Sequence, residues 1–463
     1  MRWVNKVSQL FQPAVVIPKN ATPKSDVTSK SYQLMINAGI INGTSTGMYA
    51  FLPLGMRVLG KLQALVDEEM RRVGGQKVLL PILTPSKLWK KTNRLEQAQP
   101  ELFQLKDRHG KEFLLSPTFE ESITELVRQT GPLSHNQLPV RLYQISSKWR
   151  DEMKPRLGLF RSREFVMKDL YSFDADEATG SETYEQLGEA YRRVLERIGV
   201  PYVRVRADTG QMGGTTSHEY HYATEIGEDR VARCRDCGYD TEDIAARQVE
   251  GEAVACSRCN KSMEKLHSVE IGHTFLLGTR YSKPLNATYV DASNKKQLLF
   301  MGCYGLGLTR IIASAVEILS RDQELRWPRE LAPYSVCIIT PKQGSKEEPA
   351  THLAEMIYHH LESLGIDAIV DDRAHMTIGK RLVEARKSGY PRVVVVGKGS
   401  TSRDRPTLEL HDLYDGKYVD LEINDVVSEL DKALHGIASY ISHRVYTRIT
   451  HRFARVSHLS LSA

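Results

Sequence analysis

The sequence predicts two folded regions of different class: an α+β region built on a mostly antiparallel sheet, then, from about residue 333, a smaller α/β domain. Three observations carry this. Strand-like runs at 112–115, 140–146 and 164–171 are joined by loops in several places rather than by crossover helices, which favours antiparallel pairing. The stretch 54–73 places Val58, Leu59, Leu62, Leu65, Val66, Met70 and Val73 at a 3.6-residue period before Gly74-Gly75, so it reads as one long amphipathic helix with its stop. Past Trp327-Pro328 and Pro333 the pattern alternates: strand at 336–339, helix at 352–364, strand at 368–371, helix at 378–388, strand at 393–396. That is an α/β unit of ordinary domain size, about 100 residues.

Between these landmarks, 77–80 reads as a strand that Pro81 ends, because proline has no N–H to donate to a ladder. The chain of 463 residues is 41% hydrophobic and 26% charged, a globular composition with room for two or three domains. Its longest apolar runs are strand-sized, far from the roughly 20 residues a membrane span requires, so no membrane partner is expected. A net charge of +6 suits a polyanionic partner without demanding one.

Two segments hold the groups that could do chemistry. In WRDEMKPRLGLFRSREFVMKDLYSF, Arg150 and Glu152 stand two apart, as on one face of a strand. A turn through Pro155 and Gly158 returns the chain to Arg161, Arg163 and Phe165. Guanidinium forks match phosphate oxygens and an aromatic ring stacks on a base, so this hairpin suits a nucleotide; a solvated edge with cross-strand ion pairs explains the same composition. In MGCYGLGLTR, Gly302, Gly305 and Gly307 allow close backbone approach and Arg310 falls in the first turn of an apolar helix. The Lys-Ser/Thr of a P-loop is missing, which excludes that nucleotide fold. Together the segments read as a split ATP site.

In this order they are similar to the class II aminoacyl-tRNA synthetases: 54–81 resembles motif 1, 150–173 motif 2 and 302–310 motif 3. Within the class, SPTFEESIT around Thr118 and Glu120, DTGQMGGTTSHEY around His218 and VEIGHTFLLGTRYS around His273 resemble the prolyl-tRNA synthetases, from about residue 8 to 435. The resemblance implies a class II antiparallel sheet in 26–330 and an anticodon-binding α/β domain in 333–435. It implies an enzyme that activates L-proline with ATP and Mg2+ and transfers it to the 3′ end of tRNA(Pro), as a homodimer joined through the motif 1 helix. By position, Arg150 would hold the α-phosphate and the proline carboxylate. Glu152 would face adenine or the acceptor end, Phe165 would stack on adenine, and Arg161 and Arg310 would embrace the outer phosphates beside Gly305 and Gly307. Thr118 and Glu120 would receive the imino group, which as a cation with two donors suits a carboxylate beside a hydroxyl. A helix cap at Thr118 with an early-turn acid explains that pair as well. Glu270 would meet the Mg2+, and His218, His273 and Cys303 would line the proline pocket, although lone His and Cys residues often simply pack in a core.

Only about 130 residues separate the motif 2 stretch from Gly302, too few for the inserted domain that clears mischarged alanine in the long bacterial form. The short form resembles mitochondrial enzymes. Within that interval (232–262), Cys234 and Cys237, then Cys256 and Cys259, have the spacing of a structural four-thiolate zinc site; an empty knuckle is the alternative. No acid precedes Asp26, and Arg2, Lys6, Lys19 and Lys24 accompany Trp3, Val4, Val7, Leu10 and Phe11 at helical spacing. Residues 1–25 therefore read as a mitochondrial presequence, which would place the enzyme in the matrix, or as a basic arm of a protein that could equally be cytoplasmic. Residues 436–463 form a basic tail with Arg444, Arg448, Arg452 and Arg455. In the C-terminal domain Arg373, Lys380, Arg381 and Lys387 are candidate RNA-phosphate contacts, or a solvated helix face. A catalytically inactive RNA- or DNA-binding accessory protein on the same fold would be expected to have lost its ATP contacts, whereas Arg150, Glu152, Phe165 and Arg310 are all present.

Overall fold

A computed structural model describes residues 3–13, 29–234, 236–237, 255–256, 258–321, 323–402 and 404–435. The expected basic tail and most of residues 1–25 lie outside them. The chain forms two compact units, Gln12–Asp322 and a second that joins Met1–Phe11 to Gln323–Ala463.

In the larger unit a short helix (Lys30–Asn37) and a hairpin (Ile41–Ser45 with Met48–Phe51) precede the expected long helix, α1 (Pro53–Arg72), which has proline at a first-turn position, where its missing N–H costs nothing. Its apolar period is the face that it buries: Val58, Leu62, Val66 and Met70 are fully covered. Glu69, also fully buried on this helix, is held by Arg193 at 2.7 Å and Arg72 at 2.8 Å. The central sheet comprises β1 (Gln76–Lys77), β2 (Val140–Trp149), β3 (Glu164–Asp174), β4 (Tyr202–Arg206), β5 (Thr216–Ala223), β6 (Asp229–Arg233), β7 (Glu264–Gly278) and β8 (Phe300–Gly307). They run in the order β4-β5-β7-β8-β3-β2-β1, with β6 beside the start of β7. Every pair is antiparallel except β1–β2. The strand expected over 77–80 is shorter than its pattern. It leaves the ladder after Lys77, and the Leu80 N–H donates instead to the side chain of Gln144, at 3.0 Å. The segment 112–115 is a strand, but of a separate small sheet. Two helices add to the frame. α2 (Glu120–Gln129) carries an acidic first turn, and α3 (Glu177–Ile198) is capped by Asp176, which accepts from the Thr179 N–H. Opposite faces of each strand diverge by alternation: on β3, Lys168 meets Tyr191 of α3 at 2.6 Å, while Phe165 and Met167 face a cavity.

In the smaller unit β9 (Val336–Ile339), α5 (Thr351–Ser363), β10 (Ala368–Asp371), α6 (Ile378–Ser388) and β11 (Arg392–Val395) follow the expected alternation within one residue. The three strands are parallel, in the order β10-β9-β11. An antiparallel pair, β12 (Thr407–Asp412) and β13 (Lys417–Glu422), and a helix, α7 (Ile423–His435), complete it. The N-terminal residues, expected at helical spacing, make only a 3-10 turn at Val7–Gln9. They run along the edge of β10 instead: the Val370 N–H donates to Asn5 O at 2.9 Å, and Ser8 Oγ donates to Asp372 at 2.6 Å. A free strand edge offers backbone partners that a helix this short cannot supply from within. Arg381 needs correction as an RNA contact. It is fully buried, with Nη1 donating to Thr340 Oγ1 at 3.0 Å and Asp371 O at 3.1 Å. Arg373 is paired with the Asp371 carboxylate at 2.7 Å, while Lys380 and Lys387 stay exposed.

Candidate active site

One cavity of about 390 Å³ opens on the face of the sheet away from α3. Register explains its lining. Cys303 on β8 stands opposite Phe275 on β7 and Tyr171 on β3, and Gly305 opposite His273 and Asp169, so these side chains share one face. At Gly305, which lines the cavity, an added Cβ would meet Met167 Sδ at 3.4 Å and His273 O at 3.8 Å, ordinary contacts. Gly307, also on the cavity wall, begins the helix α4 (Leu308–Leu319), and Arg310 sits in its first turn as expected.

The cationic end of the cavity is assembled from the arginine-rich loop. Arg150 and Glu152 are not on a strand: β2 ends at Trp149, and the chain turns through Leu157 and Gly158, both at positive φ, before Arg161. The Arg150 N–H donates to Arg163 O at 2.9 Å, which closes the loop onto the entry to β3. Its guanidinium lies over the Phe165 ring, 5.1 Å from the centroid. Burial, and then the charge of the nearby Arg310, lower its pKa from the ordinary arginine value. Arg310 donates from Nε to Phe160 O at 3.1 Å and from Nη1 to Glu270 O at 2.8 Å. Arg161 pairs with Glu152 at 2.8 Å.

Beside these cations, burial works against the Glu270 carboxylate. The His273 hydrogen bond and charge, with Arg310, nevertheless hold its pKa down to about 2, so it is ionised. An extra residue on β7, Ile271, displaces the register between Glu270 and Gly272. Glu270 and His273 consequently both face the cavity, with Glu270 Oε1 3.3 Å from His273 Nδ1. His273 Nε2 is 2.6 Å from Ser217 Oγ. With Glu219 these side chains offer three ligand atoms within 4.8 Å of one another.

At the opposite end Thr118 Oγ1 donates to the Glu120 carboxylate at 2.7 and 2.8 Å, and Cys303 Sγ donates to it at 3.1 Å. Burial and this carboxylate push the Cys303 thiol well up, so it serves as a donor. Thr118 does not cap α2. Phe119 occupies that position without a side-chain bond, and its N–H instead donates to Tyr171 Oη at 2.9 Å. The acid expected in the first turn is present, as Glu120 followed by Glu121.

His218 is the expected pocket residue that the structure does not bring in. It precedes Glu219, the register partner of His273, so alternation sends it to the other face, where Tyr184 Oη is 2.7 Å from its Nδ1. Burial lowers its pKa to about 4, a neutral packed imidazole. All the other expected site residues of the two motifs and the proline pocket line the cavity. The sequence reading missed Arg94, Lys148, Asp169 and the loop 208–212. Asp169 and Tyr171 carry a usable signal, polar groups two apart and so on one face of a strand. Arg94, in an irregular segment, has none.

The four cysteines come together away from this cavity. Cys234 Sγ is 3.5 Å from Cys259 Sγ, Cys237 Sγ is 3.6 Å from Cys256 Sγ, and all four lie within 4.8 Å of one another.

Comparison with known proteins agrees with this geometry. The tRNA synthetase class II core domain (G, H, P, S and T) matches residues 103–319, and an anticodon binding domain matches 335–433. The chain is 43% identical over 400 residues to the human protein named probable proline–tRNA ligase, mitochondrial, covering 85% of this chain and 84% of that one. It is 36% identical to the proline–tRNA ligase of Anaplasma phagocytophilum over 92% of this chain and 99% of the relative. The fold matches a prolyl-tRNA synthetase from Cryptosporidium parvum, solved with L-proline and AMP, with a TM-score of 0.71 and 17% identity over 93% of this chain and 79% of that one. By sequence and by fold, the chain belongs to the proline–tRNA ligase family of class II aminoacyl-tRNA synthetases.

Proposed function

We infer that the chain activates L-proline with ATP and passes the prolyl group to the 3′ end of tRNA(Pro), and we assign its residues accordingly. The carrying observation is a single cavity with a cationic end at Arg150, Arg161 and Arg310 and a carboxylate end at Glu120. An ATP triphosphate suits the first and a secondary ammonium the second, which brings the proline carboxylate to the α-phosphate beside Arg150. Attack of that carboxylate on the α-phosphorus, with pyrophosphate leaving, then needs positioning and charge neutralisation but no covalent enzyme intermediate. Phe165 supplies the adenine platform and Glu152 the adenine-side acceptor. The ionised Glu270 with Glu219 is a hard-donor pair that fits Mg2+, whose chemistry when bound is to neutralise phosphate charge. Proline-dependent exchange of labelled pyrophosphate into ATP tests the assignment. Exchange with proline is expected and should be far weaker with threonine or histidine; equal exchange with these would overturn it.

The four thiolates fit a structural zinc: tetrahedral Zn–S bonds of about 2.3 Å require S···S separations of about 3.8 Å, and the paired sulfurs stand at 3.5 and 3.6 Å. Zinc would tie Cys256 and Cys259 to the end of β6. The purified chain is expected to hold one zinc per protomer, lost in the Cys256→Ser/Cys259→Ser variant; mass spectrometry that finds none in either form rules the site out. We further assign the smaller unit to tRNA anticodon binding and α1 to a homodimer interface, which sedimentation would report as twice the 52.4 kDa chain mass. We place the enzyme in the mitochondrial matrix, where fractionation of a tagged chain should find it, with residues 3–11 as a docked arm and no cis-editing domain.

A further inference from the structure

Behind the imino-group end of the cavity lie more charges than one substrate cation requires. Arg94 is 5% exposed, and its Nη1 donates to Glu120 Oε2 at 3.2 Å and to Glu121 at 3.1 and 3.2 Å. Its guanidinium is held over the Trp89 ring at 4.5 Å and near the Tyr281 ring at 5.5 Å. Glu121 is fully buried and does not line the cavity; its further partner is the hydroxyl of Thr92, a donor at 2.9 Å. Burial pushes the Glu121 carboxyl up, while Arg94 and Thr92 draw it back. Every hydrogen bond made to it by a side chain is a donated one, which satisfies the ionised form. The neighbouring Lys148 and Asp169, 2.7 Å apart, cancel one another.

Resting on the assignment of Glu120 to the imino group, we propose that Glu120, Arg94 and Glu121 form a charge-setting triad that holds the pocket at one net negative charge. Two carboxylates and one guanidinium leave a single unmatched charge, which the prolinium cation neutralises. Without Glu121, Arg94 alone would satisfy Glu120, and the incoming cation would be bound against a neutral pair. Glu121 is thus a positioning residue that acts through Arg94 and selects for a cationic ring.

The test compares Glu121→Gln, Arg94→Met/Glu121→Gln and Glu120→Gln in pyrophosphate exchange, with KM for proline and for ATP measured separately. Glu121→Gln is expected to raise KM for proline by about 30-fold and to leave that for ATP unchanged. The double variant, which again has one carboxylate and no guanidinium, should recover most of the loss. Inhibition by tetrahydrofuran-2-carboxylate, an isostere without the cation, should not weaken in Glu121→Gln, a distinction that mere disruption of packing would not produce. If the double variant is worse than Glu121→Gln, or the uncharged isostere weakens as much as proline does, the triad is overturned. If Glu120→Gln itself leaves KM for proline unchanged, the underlying site assignment fails instead.

Discussion

Arg150→Ala is expected to reduce kcat/KM for proline-dependent pyrophosphate exchange by about 10³-fold, with most of the loss in kcat. Its side chain lines the cationic end of the cavity, over Phe165 and close to Arg310. In the proposed reaction, the negative charge that develops when a carboxylate attacks the α-phosphate would form beside it. A fixed guanidinium opposes it without reorganisation, and its effect is largest in the transition state. The loop itself should survive truncation, because the backbone N–H of Arg150, not its side chain, makes the bond to Arg163 O. Thermal midpoints of the variant and the parent are therefore expected to agree closely. Arg150→Lys should rescue little, since an ammonium cannot present the planar fork. Recovery by lysine to within a few-fold of the parent would show that only a point charge is needed.

What could be read in the sequence divides along physical lines. The α1 helix and the β9-α5-β10-α6-β11 alternation were legible because their apolar period is what they bury, as Val58, Leu62 and Val66 show. The charged lining of the cavity was legible where a residue type stands out at motif spacing: the guanidinium groups of Arg150 and Arg310, and a carboxylate with a hydroxyl at Glu120 and Thr118, all line it. Illegible was whatever depends on long-range register. His218 and His273 look alike as sequence, but pairing of Glu219 with His273 puts them on opposite faces of the sheet. Arg381 reads as a surface cation of a basic helix, yet it is buried against Thr340 on the neighbouring strand end. The same holds for 3–11, whose helical spacing gives way to the edge of a strand more than 350 residues away in sequence.

Asp169→Asn should produce the largest loss of stability, about 3–5 kcal/mol. Asp169 is the hub of a buried polar chain. Its carboxylate faces Lys148 at 2.7 Å and accepts from Gln144 at 3.0 Å and from Tyr171 at 2.9 Å. Tyr171 in turn holds the Phe119 N–H, next to Thr118 and Glu120, and Gln144 holds the Leu80 N–H at the end of the motif 1 segment. The asparagine variant would strand the Lys148 ammonium, fully buried, without its partner. Burial already lowers the pKa of Lys148 even with Asp169 present, so without it the folded-state value falls further. Between that depressed value and the unfolded one the unfolded chain binds more protons, and stability rises with pH across this window. The deficit of the variant, measured by urea unfolding, should accordingly shrink from pH 7 to 9.5; a deficit constant over that range would show that Lys148 is not the source. In Lys148→Met/Asp169→Leu, removal of both charges should restore much of the stability. It should not restore affinity for proline, because Tyr171 still lacks the acceptor that orients it toward Phe119. Stability and positioning thus separate in a single pair of variants, and recovery of both together would show that the polar chain serves packing alone.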